Sequence, residues 1–214
     1  MADAKRLPFF DFAKGVLIVL VTIGHAVQFI VYHDAGDGFW ADPLFKGIYL
    51  FHMPLFMVIS GFLSQSGIQR SALGPFLSGK ARTYLIPIIA WALLYQTAAF
   101  VVDFRNGTLT ALPGDIFNEA ITRLWFLWAL LGCLALTALT RLAGRAFWPV
   151  YGAITFLVLL LPEHGNLIML KFMFPFFQMG YLLSAVRFAP ITGWKRNGLF
   201  VFAAIITSTV FALW

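Results

Sequence analysis

The chain alternates between long apolar runs and short polar segments. A run of roughly 20 apolar residues is needed to cross the roughly 30 Å of hydrocarbon in a bilayer. Runs of about that length lie at residues 12–32, 44–64, 84–102, 124–140, 147–161, 167–185 and 198–214. The fifth run is short, and the seventh ends where the sequence ends. The pattern predicts an all-α, polytopic transmembrane helix bundle of about seven spans, forming one domain over residues 1–214.

Charges in the segments between the runs alternate in sign and give the bundle an orientation. Lysines and arginines collect in alternate segments, at Lys5, Arg6, Lys14, Arg70, Lys80, Arg82, Arg141, Arg145, Arg187, Lys195 and Arg196. The opposite segments carry mainly acidic residues, at Asp34, Asp37, Asp42, Asp103, Asp115, Glu119 and Glu163. Because basic loops stay cytoplasmic, we expect a cytoplasmic N-terminus. A seven-span chain would then end outside, which suggests a fragment of a larger bundle, with a genuine seven-span protein that has a bare end as the alternative.

Composition agrees with a membrane protein and excludes some partners. The chain is 61% hydrophobic and 11% charged, whereas soluble domains carry about 25% charged residues. The lipid bilayer is therefore an expected partner, and the positive-inside bias accounts for the net charge of +6 without a nucleic acid. Cys133 is the single cysteine, so neither an intramolecular disulfide nor a cysteine-based metal cluster is expected, and we predict no metal site.

The first run contains two ionisable residues on one helical face. Lys14 and His25 are eleven positions apart, which in a helix brings them within about 20° of each other and about 16 Å apart. Ionisable groups inside a span usually face a wet cavity or the bundle interior. A neutral imidazole is well suited to accept a proton near pH 7. We interpret His25 as a catalytic base, with a structural hydrogen bond to another helix as the alternative.

A second histidine, His52, lies in the next run. Counted from the outer ends of their runs, His25 and His52 both lie about 10 to 12 Å deep, so they could share one site. Pro54 would kink the helix beside His52 and leave a carbonyl without its helical partner, although it could equally serve packing alone. His52 is as consistent with a structural hydrogen bond as with a chemical role. Ser60 and Gly61 predict a close contact between helices.

Three basic residues, Arg70, Lys80 and Arg82, are predicted to lie in the loop after the second run, on the same side as Lys14. Arginine binds phosphate through a two-pronged fork, so an anionic ligand such as a coenzyme phosphate is one interpretation. An ordinary solvated loop is the other. Lys171, near the start of the sixth run, is interpreted as a structural residue that reaches the outer surface.

Four segments are similar to motifs of the membrane acyltransferase 3 family. DFAKGVLIVLVTIGH contains Lys14 and His25 and resembles the family's basic residue, ten residues and histidine. FHMPLFMVISGF resembles the second-span signature, KARTYLIPIIAW the entry to the third span, and LWFLWALL a later tryptophan-containing span. The segments occur in the expected order over most of the chain. The chain is therefore identified as a member of this family.

The resemblance implies a bacterial inner-membrane enzyme of the sugar O-acetylase branch. Such an enzyme moves an acyl group, commonly acetyl, from coenzyme A to a hydroxyl of an envelope or exported carbohydrate or glycolipid. Acetyl-CoA is then the co-substrate, His25 the base, and Lys14 the motif residue that meets the donor. Lys14 stands where many members have arginine, so the forked phosphate contact is lost. Members have about ten spans, so this chain would hold roughly the N-terminal two-thirds.

These expectations combine into one mechanism, with three rivals. Lys14, Arg70, Lys80 and Arg82 would bind the phosphates of coenzyme A, and His52 would donate to the thioester oxygen or steady His25. One rival is a transporter of an envelope intermediate, with His25 and Lys14 as binding or proton-relay groups. Another is a haem protein with both histidines as axial ligands, and the third is a subunit without catalytic activity.

Overall fold

The computed structural model describes residues 8–33, 36–102 and 111–185, and in these ranges the regular structure is entirely helical. The α-helices are α1 (Pro8–Ala26), α2 (Pro43–Arg70), α3 (Leu73–Val102), α4 (Leu112–Thr122), α5 (Trp125–Thr140), α6 (Phe147–Leu159) and α7 (Asn166–Ala185). A π-helix (Val27–Val31) follows α1. One 3-10 helix (Gly36–Ala41) precedes α2, and another (Arg141–Ala146) joins α5 to α6.

The prediction of a polytopic helix bundle is confirmed, but the count of seven spans is not. Five stretches of the described chain are long and apolar enough to cross a membrane: Pro8–Val31, Pro43–Arg70, Leu73–Val102, Trp125–Leu159 and Asn166–Ser184. The predicted seventh span, residues 198–214, lies outside the described residues. The remaining difference arises because the predicted fourth and fifth spans form one continuous apolar stretch.

That stretch folds back on itself at Gly144, whose φ of 53° is a left-handed conformation that favours glycine. The hydroxyls of Thr137 and Tyr151 are 3.1 Å apart, whereas fourteen residues of straight helix would separate them by about 21 Å. The two predicted runs are therefore two helices. With 13 residues, α6 is about 20 Å long and shorter than a hydrocarbon core.

The predicted loop between the second and third spans is wrong. Helices α2 and α3 continue through it and leave only Ser71 and Ala72 between them, because Ile68 and Phe76 are buried in the core and hold the polar segments against the bundle. The guanidinium of Arg141 donates to the carbonyls of Ser71 at 2.7 Å and Gln69 at 3.2 Å. These bonds satisfy carbonyls that a helix end would otherwise leave unpaired.

Helix α4 was not predicted, and it lies where the sequence suggested a polar outer loop. Its buried carboxylate, Glu119, accepts a hydrogen bond from Gln96 of α3 at 3.2 Å. The Nε of Arg123 lies 3.2 Å from the other carboxylate oxygen in an ion pair. The indole of Trp128 donates to the carbonyl of Ala120 at 2.9 Å. These contacts fasten α4 to α3 and to the start of α5.

Helices α2 and α7 pack with their backbones in close contact. A Cβ added at Gly61 would collide with the carbonyl oxygen of Phe177, and one added at Gly180 would collide with that of Val58. Each helix therefore presents a glycine to the backbone of the other, as small residues do where membrane helices cross closely. The predicted close contact at Gly61 is confirmed.

Helices α1 and α2 run antiparallel, and two contacts define their register. The rings of Phe10 and Phe62 lie 4.8 Å apart near one end. Near the other end, a Cβ added at Gly24 would lie 2.8 Å from the ring of Tyr49. A residue of α1 and the residue of α2 that faces it therefore have numbers whose sum is about 72, and this relation is used below to compare depths.

Asp42 caps α2 and closes this helix pair at the predicted outer end. One carboxylate oxygen accepts from the backbone N–H groups of Leu44 at 2.8 Å and Phe45 at 3.0 Å, and the other from the Tyr32 hydroxyl at 3.2 Å. The hydrogen bond from the Phe45 N–H is the largest of the effects that hold the pKa of Asp42 below its usual value. Burial acts in the opposite direction and is outweighed.

The pKa of Asp42 is lower in the folded than in the unfolded state, so ionised Asp42 stabilises the fold above about pH 3.9. This contribution disappears as the pH falls through the folded-state pKa. We expect Asp42→Ala to lower the thermal midpoint in detergent by about 2 to 4 °C at pH 7. The midpoint of this variant should also fall less than that of the parent as the pH is lowered. Asp42→Asn keeps the capping oxygen but lacks the charge, so its midpoint at pH 7 should lie between those of the alanine variant and the parent. An asparagine variant as damaged as the alanine variant would contradict this assignment.

Candidate active site

His25 lies in the last turn of α1, where its ring is exposed and stacks on Phe29 at 5.6 Å. The π-helix begins two residues later, and the N–H of Tyr32 donates to the carbonyl of Val27 at 3.1 Å. π-helices are rare and are frequent at functional sites. The sequence gives no signal for this π-helix. Its presence nevertheless marks the segment beside His25 as a candidate functional region.

Lys14 and His25 lie on one stripe of the same regular helix, as the spacing predicts. Leu17 and Gly24 are the buried residues of α1 and face α2. Both Lys14 and His25 are rotated about 80 to 100° from Gly24 around the helix. They therefore lie along one edge of the contact between α1 and α2, about 16 Å apart.

His52 is buried in α2, with 1% of its surface exposed. Its Nδ1 lies 2.7 Å from the carbonyl oxygen of Ile48. A carbonyl only accepts hydrogen bonds, so Nδ1 carries the proton and Nε2 of the neutral ring carries a lone pair. Neutral His52 therefore cannot donate from Nε2 to a thioester oxygen. It can accept a hydrogen bond there, which leaves the second of its two predicted roles, steadying His25.

The two histidines are close but not level. The register of α1 and α2 places His52 opposite residues 20 and 21, about one helical turn deeper than His25. The prediction of equal depth assumed that both helices end at the same level, and the helix contacts show that they do not.

Tyr49 links the two histidines. Its ring packs on Gly24, the neighbour of His25, and meets the ring of His52 edge to face at 4.7 Å. Gly24 allows this approach because a larger side chain would collide with the tyrosine. Tyr49 thus contacts His52 directly and approaches His25 through the neighbouring Gly24. These three side chains, at the contact between α1 and α2, are named the histidine cluster below.

Three of the four basic residues predicted to bind phosphate lie at the end of α2 and in the first three turns of α3. Arg70 is its last residue, Arg82 is exposed on α3, and the Nζ of Lys80 lies 5.7 Å from the ring centre of Phe76. The register places Lys14 near residues 58 and 59, about 18 Å along the axis from Arg70. Lys14 therefore lies between the histidine cluster and Arg70 along the axis of α2.

Lys171 forms a salt bridge with Glu163 at 3.0 Å. The contact lies at the start of α7, where Glu163 is exposed. This is consistent with the predicted structural role, in which the long side chain reaches the outer surface.

Comparison with known proteins places these features in a family. Residues 7–214 match the family model described as an acyltransferase domain, of the acyltransferase 3 type. Nodulation protein NolL of Sinorhizobium fredii is 37% identical over 176 residues, which cover 82% of this chain and 48% of that protein. Nodulation protein NolL of Mesorhizobium japonicum is 37% identical over 190 residues, which cover 88% and 49%. No solved structure gives a significant match. The chain thus spans about half the length of these curated relatives, and it belongs to the acyltransferase 3 family.

Proposed function

We propose that the protein is a membrane O-acyltransferase of the bacterial inner membrane, with its N-terminus in the cytoplasm. It moves an acyl group, in our proposal acetyl, from acyl-CoA to a hydroxyl of an envelope or exported carbohydrate or glycolipid. The observation that carries the proposal is His25, an imidazole at the end of a regular helix, beside a π-helix, in a chain of the acyltransferase 3 family.

His25 acts on the acceptor. Its unprotonated ring nitrogen removes the hydroxyl proton while the oxygen attacks the carbonyl carbon of the thioester. The carbon–sulfur bond then breaks, and the thiolate of coenzyme A leaves and takes the proton from the imidazolium. The products are an acyl ester and free coenzyme A. Such proton transfer contributes about 10² to 10⁴-fold to a rate.

The donor lies along the edge of the contact between α1 and α2. Lys14 pairs with the diphosphate of coenzyme A, and the pantetheine arm covers the distance of about 16 Å to His25. The ribose phosphate points toward Arg70, Lys80 and Arg82, on the cytoplasmic side in the predicted orientation. Lys14 offers a point charge rather than a fork, so its contribution is mainly electrostatic.

His52 is a positioning residue in this scheme. Its Nδ1 is held by the Ile48 carbonyl, and its Nε2 accepts a hydrogen bond that orients His25. We expect His52→Asn, which keeps a donor near Nδ1 and loses Nε2, to lower kcat about 10²-fold with little change in the KM for acyl-CoA. His52→Gln places a polar atom near Nε2 and should retain more activity. Steady-state kinetics of both variants test this role. A higher kcat for the asparagine variant than for the glutamine variant would contradict the role of Nε2.

The direct test is acyl transfer by the full chain in lipid nanodiscs. Acetyl-CoA and an envelope carbohydrate extract are added, and released thiol and alkali-labile ester are measured together. Both should appear in equal amounts. Movement of a carbohydrate intermediate across the membrane without consumption of acetyl-CoA would favour the transporter instead.

A further inference from the structure

The segment that joins α1 to α2 holds an aromatic side chain in a fixed position at the surface. In the 3-10 helix Gly36–Ala41, Phe39 is buried against Phe45 and Val27, and Asp42 caps the following helix. Trp40, between these two anchors, is 45% exposed. Its ring meets Phe45 at 5.2 Å and Tyr49 at 6.2 Å, so the exposed indole is held from below by packed rings.

One side chain, that of Tyr49, lies between this indole and the helix segment that carries His25, the proposed base. Trp40 contacts Tyr49, and Tyr49 packs on Gly24, the residue before His25. The same tyrosine meets the buried ring of His52. A molecule resting on Trp40 would therefore lie beside the outer end of the histidine cluster, on the side opposite to Arg70 and Lys80.

We propose that Trp40 is the platform on which the pyranose ring of the acceptor stacks, so that one of its hydroxyls is presented to His25. A pyranose has an apolar face of C–H bonds and a rim of hydroxyls, and an indole has a flat apolar body with one N–H donor. The inference rests on the proposed function and deepens it, because it names a specificity-determining residue. It also brings donor and acceptor to the site from opposite ends of the contact between α1 and α2.

A tryptophan at a membrane boundary is often only an interfacial anchor, and α6 offers a matched comparison. Trp148 is 49% exposed and packs against Phe147 and Tyr151, apart from the histidine cluster. If exposed indoles serve only as anchors, Trp40 and Trp148 should respond alike to truncation. If Trp40 is the platform, only its loss should affect carbohydrate binding.

The test measures binding without a donor, so it does not depend on catalysis. The full chain in lipid nanodiscs is mixed with neutral methyl pyranosides, and saturation-transfer NMR reports contact with their ring C–H protons. We expect a signal for the parent chain, about tenfold weaker binding for Trp40→Ala, near-parental binding for Trp40→Phe, and no change for Trp148→Ala.

The platform would be overturned by the absence of a transferred signal with the parent chain, or by equal binding of the parent chain and Trp40→Ala. Equal losses in Trp40→Ala and Trp148→Ala would also overturn it, because the effect would then not be specific to this site. Acyl transfer to envelope carbohydrate could still be observed in any of these cases, so the proposed function would be tested separately.

Discussion

Replacing His25 by alanine is expected to lower the rate of acyl transfer by about 10² to 10⁴-fold while leaving the helices assembled. The ring is exposed and its contact is a stack on Phe29, so its removal leaves no buried cavity. The buried residues that hold α1 against α2, Leu17 and Gly24, are untouched. Initial rates of thiol release and of ester formation, with thermal midpoints of the same samples, measure both parts of the expectation.

His164 provides a control for this substitution. It is an exposed histidine in the turn before α7, away from the histidine cluster, and His164→Ala should keep parental rates and stability. Near-parental turnover of His25→Ala would show that another group removes the proton. A large fall in its thermal midpoint would show instead that His25 supports the fold.

Adding a methyl group to either glycine between α2 and α7 should have the largest effect on stability. Gly61→Ala and Gly180→Ala each place a Cβ against a backbone carbonyl, of Phe177 and Val58 respectively. Because both sides of the contact are backbone, relief requires the helices to move apart. Such overpacking costs about 1 to 3 kcal/mol and occasionally more. Thermal or denaturant unfolding in detergent would show this as a lower midpoint for each variant.

Two other helical glycines separate this effect from helix propensity. Gly79 in α3 and Gly152 in α6 have open space where a Cβ would be placed. Alanine there should be neutral or stabilising by about 0.5 to 1 kcal/mol. If Gly61→Ala and Gly180→Ala also melted at or above the parental midpoint, the close contact between α2 and α7 would be contradicted.

The helices and the geometry within α1 could be predicted because they depend on local pattern. Long apolar runs indicate membrane helices wherever the bilayer is the solvent, and the relation of Lys14 to His25 follows from one regular helix. The π-helix after His25 could not be predicted, because its five residues are as apolar as those before them. The helical ends of α2 and α3 could not be predicted, because these segments are polar and their few buried residues, such as Ile68 and Phe76, are diluted in an average over the segment.

Relations between helices were the main source of error in the candidate site. The depths of His25 and His52 were inferred from the ends of apolar runs, but contacts such as Phe10 with Phe62 determine the register. The same register separates Lys14 from Arg70. The amphipathic spacing of Leu112, Ile116 and Ala120 is the sequence signal that could have predicted α4, although the surrounding segment is polar.

Transfer of an isotopic label tests the central claim most directly. The full chain in nanodiscs is given acetyl-CoA labelled in its acetyl group together with envelope carbohydrate, and mass spectrometry locates the label. Our account predicts a labelled, alkali-labile ester on the carbohydrate with the parent chain, and almost none with His25→Ala. Undiminished labelling with His25→Ala, or no labelled ester with the parent chain, would contradict it.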